Sequence, residues 1–89
     1  MARVEFTSHL RQWAPEGVTQ VPGARVGDVL SNLFEEHRLL RGYVLDDQGR
    51  LRKHVCIFVD GVRLIGAQAL EAETNDSSEI YVMQALSGG

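Results

Sequence analysis

The sequence predicts an α+β domain in which a mixed sheet of about five strands curls over one helix. Three observations support this fold class: several short stretches of alternating apolar and polar residues, one stretch with helical spacing, and an Asp60-Gly61 turn signal between two apolar runs. The chain has 89 residues and 9.9 kDa, of which 44% are hydrophobic and 24% charged. Such a chain buries about 60–65% of its unfolded surface, so we expect one modest core.

The first third of the chain reads as a hairpin. Apolar residues alternate with charged ones from Val4 to Leu10, which predicts a half-buried strand. Residues 13–17 contain Pro15 and Gly17 and predict a turn, because proline presets φ and glycine tolerates positive φ. Residues 18–21 then predict a second short strand that Pro22 ends.

The apolar spacing changes after Pro22 to that of an α-helix. Apolar residues and one histidine recur on a single helical face about three turns long. The members of this stripe are Val26, Val29, Leu30, Leu33, Phe34 and His37. We expect Gly42 to end the helix, and the stripe to cover one face of the sheet.

The second half of the chain is again strand-like. Residues 55–59 alternate, and residues 62–64 return after an Asp-Gly pair that suits a type I′ turn. Residues 66–75 predict a loop with a turn of helix, and residues 79–85 predict a last strand. The order strand, strand, helix, strand, strand, strand is that of a β-grasp domain. We place this domain at residues 1–84 and a flexible functional tail at residues 85–89.

Composition excludes several classes of function. The net charge is −3, and residues 71–89 carry four acidic and no basic residues, so there is no basic stripe for nucleic acid. The longest apolar run, residues 55–59, is too short to cross a membrane. With a single cysteine and no visible signal peptide, the expectation is a cytoplasmic protein that is a monomer when free.

The alternation stops after Met83, and the sequence closes on Gly88-Gly89. Two such glycines arise by chance in about one chain in 200, and a frayed end is the ordinary interpretation. The alternative is a working tail, because glycine has no Cβ and can pass through a channel too narrow for other residues. A terminal carboxylate, with a pKa of about 3.3–3.7, is a poor electrophile until ATP converts it to an acyl-adenylate.

The whole chain resembles the ubiquitin-like sulfur-carrier family. The resemblance rests on the β-grasp order, on residues 55–61 (VCIFVDG), and above all on the Gly88-Gly89 end. That family contains the small subunit of molybdopterin synthase, the thiamine-pathway carrier and a carrier of a cysteine biosynthesis route. Residues 49–59 (GRLRKHVCIFV) are most similar to the cysteine-route type, which also opens its third strand with a G-x-L turn and a basic pair.

The resemblance implies a carrier protein rather than an enzyme. Gly89 would be adenylated by a ubiquitin-activating-type partner and converted to a thiocarboxylate, while Ser87 and Gly88 thread into that partner. A sulfur-accepting synthase would then use the sulfur for cysteine, molybdopterin, thiamine or a secondary metabolite. ATP would be used by the activating enzyme, since no phosphate-cradling glycine-rich loop occurs in this sequence. We expect no bound cofactor and no metal.

Docking to these partners is assigned to Phe58 and Leu86. If Ile57 faces the helix, then Phe58 faces away from it, and a large exposed aromatic residue on a sheet often marks a docking surface. Other side chains are weaker candidates. Cys56 is a possible nucleophile but more often a small apolar filler, and His54 beside it gives only two of the ligands that zinc needs.

Two further functions fit the same tail. The first is a ubiquitin-like modifier joined through Gly89 to lysines of target proteins; chain building would then have to use Lys53 or the N-terminus, because Lys53 is the only lysine. The second is a small subunit of a heteromeric synthase, with its tail held in the partner. Both depend on residues 85–89, so the Gly88-Gly89 pair does not separate them from a carrier.

Overall fold

The computed structural model describes residues 1–7 and 9–84, which form a five-stranded mixed sheet with three helices. The sheet has the order β2-β1-β5-β3-β4. The elements in chain order are β1 (Ala2–Phe6), β2 (Thr19–Val21), α1 (Val26–Phe34), α2 (Arg38–Val44), β3 (Val55–Val59), β4 (Val62–Leu64), α3 (Gly66–Glu71) and β5 (Glu79–Gln84).

The last strand, β5, lies in the centre of the sheet. It runs parallel to β1, with Phe6 opposite Val82, and antiparallel to β3, with Val55 opposite Gln84. The β1–β2 and β3–β4 pairs are antiparallel hairpins on its two sides. This arrangement confirms the predicted fold class, because the predicted strand order and a sheet curled over a helix are both present.

The core lies between α1 and one face of the sheet. The five buried residues of α1 are all members of the stripe predicted from the sequence, from Val26 to Phe34. Opposite them, the alternate residues of the central strands are buried, among them Val4, Ile57 and Val82, each with no exposed surface. The alternation predicted for these strands therefore marks the core face of the sheet.

The predicted helix is divided into two. The first helix ends at Phe34, His37 has a non-helical backbone with φ −130° and ψ 67°, and α2 starts at Arg38. An unbroken helix over residues 26–44 would be about 28 Å long, whereas five- and six-residue strands span about 17–20 Å. The bend keeps both helices over the sheet, and it buries Leu40 and Val44 of α2. Gly42 lies within α2 rather than ending the first helix.

The tight turn predicted at Asp60-Gly61 is confirmed. Asp60 and Gly61 both have positive φ, 52° and 86°, as a type I′ hairpin requires. Residues 66–75 contain one short helix, α3, as expected. No helix in residues 1–7 and 9–84 is long and apolar enough to cross a membrane.

Candidate functional site

The predicted catalytic glycine and the tail residues before it lie outside the described part of the chain. Gly89, the threading residues Ser87 and Gly88, and the docking residue Leu86 all fall within residues 85–89, which the structure does not describe. What the structure does describe is the strand from which they follow. The predicted boundary between residues 84 and 85 therefore stays a prediction.

The strand β5 is fixed at both ends. At its start, Asp60 accepts the backbone N–H of Glu79 on Oδ1 at 2.9 Å and donates its own N–H to the Glu79 carbonyl at 2.9 Å. At its end, the Gln84 N–H lies 3.4 Å from the Thr7 hydroxyl oxygen, and the Thr7 N–H donates to the Val82 carbonyl at 3.1 Å. The strand β5 is therefore held by neighbours on both sides up to Gln84.

Phe58 lies on the face of the sheet opposite the core, as predicted. It is half-buried and pairs across the strands with Tyr81 of β5; the two rings are 6.4 Å apart between centroids and inclined by 54°. Such a tilted geometry is favourable for two aromatic rings. The Phe58–Tyr81 pair forms the aromatic centre of this outer face.

A groove of about 590 Å³ lies over this aromatic centre. Its rim is charged: Arg3 Nη2 and Glu79 Oε2 form an ion pair at 3.0 Å, and Glu5 lies beside them. Val18, with 56% of its surface exposed, adds an apolar wall. An apolar floor within a polar rim is the usual arrangement of a protein-binding surface.

The turn that precedes β3 lies beside the end of β5. Val55, the first residue of β3, is opposite Gln84, and its N–H donates to the Arg52 carbonyl at 3.0 Å. Arg52 is in turn held by α2, since its Nε donates to the Gly42 carbonyl at 2.8 Å and its N–H to the Val44 carbonyl at 3.0 Å. Lys53, between Arg52 and Val55, is exposed.

The loop between α2 and this turn is closed by Asp46. Its Oδ1 accepts the backbone N–H groups of Arg50 and Gln48, both at 2.9 Å, and its Oδ2 lies 3.3 Å from the Arg50 guanidinium. The backbone N–H of Arg50 is the largest cause that holds the pKa of the Asp46 carboxyl below its ordinary value. The loop is thus stabilised by an ionised carboxylate.

Cys56 is buried on the outer face of β3, with 5% of its surface exposed, and lies opposite Met83. This placement favours the apolar filler over a reactive thiol, because a nucleophile must be accessible. His54 is exposed at the end of the preceding turn. Across residues 1–7 and 9–84, no three His, Cys, Asp or Glu side chains come close enough together to hold a metal ion.

Sequence reasoning missed two features of the surface. The first is the partnership of Phe58 with Tyr81: both alternations were visible, but only the register between β3 and β5 brings the two rings together. The second is a stack of Trp13 on Tyr43, with ring centroids 3.7 Å apart and planes inclined by 17°. This stack joins the β1–β2 connection to α2, whose separation from α1 the sequence did not predict.

Comparison with known proteins gives matches at the level of structure. No protein-family model and no curated protein sequence matches the chain. The crystal structure of SAMP1 from Haloferax volcanii is similar, with a TM-score of 0.80 and 27% identity, and covers 99% of this chain and 98% of its own. The solution structure of small archaeal modifier protein 1 from Methanosarcina acetivorans has a TM-score of 0.83 and 26% identity, with coverage of 99% and 95%.

A bacterial structure shares the same fold at lower identity. The Amycolatopsis orientalis BexX/CysO complex has a chain that matches with a TM-score of 0.82 and 19% identity, over the full length of both chains. One of the archaeal neighbours is named a small archaeal modifier protein, and the bacterial chain shows the shared fold. The chain is thus a β-grasp, ubiquitin-like protein that is similar over nearly its whole length to these carriers and modifiers, and the resemblance to the ubiquitin-like sulfur-carrier family is confirmed.

Proposed function

We propose that this protein is a sulfur carrier whose Gly89 carboxylate is adenylated by a partner enzyme and converted to a thiocarboxylate. The observation that carries the proposal is the position of β5. The strand that leads to Gly88-Gly89 is the central strand of the sheet, and it is fixed on both sides up to Gln84. A rigid body that delivers a glycine-ended segment suits an active site reached through a narrow channel.

The chemistry needs no side chain from this protein. A carboxylate oxygen of Gly89 attacks the α-phosphorus of ATP and pyrophosphate leaves. A persulfide sulfur of a donor protein then attacks the acyl carbon and displaces AMP, giving an acyl disulfide. A thiol cleaves the S–S bond of that disulfide, which leaves the thiocarboxylate on Gly89 and a new disulfide on the donor. The carrier positions the Gly89 carboxylate, and the partner provides the ATP site.

The groove on the outer face is the proposed docking surface for the activating enzyme. Phe58 and Tyr81 supply an apolar floor, and the Arg3–Glu79 ion pair lies at its edge. A partner surface with a central apolar side chain, to contact the apolar floor, and charged groups around it, to contact the ion pair, fits this pattern. The similar CysO chain occurs in a complex with BexX, which supports the expectation that a protein of this fold is held by a partner.

The test compares tail variants in ATP–pyrophosphate exchange by the activating enzyme. Deletion of Gly89 and Gly88→Val should abolish exchange, because a misplacement of about 1 Å at a reacting centre can cost on the order of a hundredfold in rate. Both changes lie after Gln84, the last residue of β5. The thermal unfolding curves of wild type and variants should therefore overlay. Exchange that continues unchanged in both variants would refute the proposal.

A second function, a protein modifier attached through Gly89 to lysines, is favoured by one observation. The two archaeal neighbours at 26% and 27% identity include one named as a small archaeal modifier protein. This function predicts high-mass adducts in cells that carry a tagged copy of the chain, and their loss when Gly89 is deleted. An immunoblot without such adducts, from cells in which the thiocarboxylate is found, would leave the carrier as the sole function.

A further inference from the structure

We propose that the open edge of β4 binds an extended segment of a partner protein, with an acidic residue opposite Arg63 and apolar residues on either side of it. The segment adds a sixth strand to the sheet, a mode of recognition in which main-chain hydrogen bonds supply affinity and side chains supply specificity. This surface is separate from the groove over Phe58 and Tyr81. The proposal goes beyond the carrier function, because it involves neither Gly89 nor the activating enzyme.

The strand β4 lies at one edge of the described sheet, next to β3 only. At the opposite edge, β2 is followed by Pro22, whose carbonyl accepts the side-chain N–H of Asn32 at 2.8 Å. The edge of β4 has no such boundary. Ile65, the next residue, keeps an extended backbone with φ −132° and ψ 158°, so the edge continues for one residue beyond Leu64.

The register of β3 decides which backbone groups of β4 point to the open edge. The Asp60 N–H donates to the Glu79 carbonyl at 2.9 Å, so the N–H of Asp60 is directed toward β5. Hydrogen-bonding direction alternates along a strand, so the groups of Phe58, two residues earlier, also face β5 and not β4. Arg63 is the residue opposite Phe58 on β4. The N–H and C=O of Arg63 therefore point away from β3, and within residues 1–7 and 9–84 no backbone group outside the sheet bonds to either.

Exposed apolar side chains lie on both sides of Arg63 along the chain. Val62 and Ile65 have 60% and 58% of their surface exposed. Val62 and Leu64 lie on the core face of the sheet, because Leu64 is opposite Ile57, which has no exposed surface. An added strand covers this apolar surface if the residues that flank its central position are themselves apolar.

The charge of Arg63 determines the central position of the segment. Arg63 is exposed and, across residues 1–7 and 9–84, takes part in no salt bridge. Opposite charges in a cross-strand pair are stabilising and like charges are destabilising. An aspartate or glutamate opposite Arg63 is therefore favoured, whereas two copies of this chain paired symmetrically about Arg63 would place two arginines directly opposite each other.

A charge on an edge strand can by itself serve to discourage pairing between sheets. Two observations distinguish this edge from a merely protected one. Val62 and Ile65 leave apolar surface in water next to the charge, and the N–H and C=O of Arg63 are both directed to the edge. The combination offers two hydrogen bonds, apolar contact and one specific ion pair to a single extended segment.

The test titrates the full ¹⁵N-labelled chain with the peptide acetyl-STVEVTS-amide, followed by amide NMR. Binding should shift the amide resonances of residues 62–65, with a Kd below about 1 mM. The same peptide with an N-methylated glutamate should bind at least about tenfold more weakly, because it cannot donate to the Arg63 carbonyl and its methyl group obstructs pairing. The peptide in which lysine replaces the glutamate should also bind more weakly.

Two charge-reversal variants give the matched comparison. Arg63→Glu should reverse the preference, so that the lysine peptide binds at least about threefold more tightly than the glutamate peptide. Arg38→Glu makes the same change in net charge at an exposed position at the start of α2, away from the edge. It should leave the affinity for the glutamate peptide within about twofold of that of the wild type.

Several results would overturn the proposal: no shift of residues 62–65 at about 1 mM peptide, shifts centred on Phe58 and Tyr81 instead, equal binding of the N-methylated peptide, or an unchanged preference in Arg63→Glu. Shifts of residues 62–65 that depend on protein concentration without peptide would also overturn it, since a second copy would then occupy the edge. The titration uses no ATP and no activating enzyme, so its outcome is independent of the proposed function.

Discussion

Gly23 lies where the chain passes directly under the first turn of α1, and this close approach makes it the most sensitive glycine of the described residues. A Cβ built on Gly23 would lie 2.6 Å from the backbone nitrogen of Val29, 2.6 Å from its Cγ2 and 2.9 Å from its Cα. Two of these three atoms belong to the backbone of a helix, so rotation of a flexible side chain does not relieve the clash. The Gly23 carbonyl also accepts the Thr74 hydroxyl at 2.8 Å, which ties it to the loop before β5.

We expect Gly23→Ala to destabilise the protein by about 1–3 kcal/mol, the usual cost of forcing an extra carbon into a packed site. For a domain of this size, 1 kcal/mol corresponds to about 4–8 °C in Tm, so the midpoint should fall by roughly 4–24 °C. Gly42→Ala is the matched control. Gly42 lies inside α2, and nothing is within 4 Å of a Cβ built there.

The control should change Tm in the opposite direction. Alanine in a helix interior is better than glycine by about 0.5–1 kcal/mol, so Gly42→Ala should raise Tm by a few degrees. Thermal unfolding followed by far-UV circular dichroism measures both variants under the same conditions. If Gly23→Ala unfolded at or above the wild-type Tm, the packing of α1 on residues 22–24 would be wrong.

Three other expectations follow from the same structure. Phe34→Ala should lower the free energy of unfolding by about 3–5 kcal/mol, because it empties a core site that is 5% exposed; a loss below about 1 kcal/mol would mean that Phe34 is not buried. Phe58→Ala should lower stability less, and by calorimetry it should weaken binding to the activating enzyme by about 2 kcal/mol or more; unchanged affinity would remove the groove as the docking surface. Asp46→Asn should lower Tm at pH 7, and the difference should vanish in acid, since a carboxyl with a lowered pKa stabilises the fold above its unfolded pKa of about 3.9 and loses this as pH falls through the folded pKa. A Tm difference that persists or grows in acid would contradict that origin.

The strands and their turns were predictable because their signals are local. A period of two marks each strand, and Asp60-Gly61 specifies its hairpin through two positive φ angles. The core face of α1 was also predictable from a local signal, because the helical spacing of the apolar residues from Val26 to Phe34 marks the face that is buried.

The division of the helix was not predictable from the apolar spacing. Leu40 and Val44 continue the face of the stripe, and both are buried in α2. The pattern alone therefore reads as one helix, whereas the limited length of the strands favours a bend at His37. Sequence spacing carries no information about the length of the sheet against which a helix packs.

The candidate site was predictable only in part, because its groove is built by contacts between distant segments. Phe58 was identified as outward-facing from alternation, but its pairing with Tyr81 depends on the register of β3 with β5. Pairing between strands that are far apart in sequence is set by the whole sheet and not by either strand.

The central claim is that Gly89 becomes a thiocarboxylate, and intact-protein mass spectrometry tests it most directly. The chain is incubated with its activating enzyme, ATP, a persulfide donor and a thiol that cleaves the acyl disulfide; the intact mass is measured, and the peptide that contains Gly89 is then isolated to locate the change. The account predicts a gain equal to the mass difference between sulfur and oxygen, located on Gly89 and absent from Gly88→Val. A wild-type chain that gains no sulfur, while the same enzyme preparation catalyses ATP–pyrophosphate exchange with it, would contradict the claim.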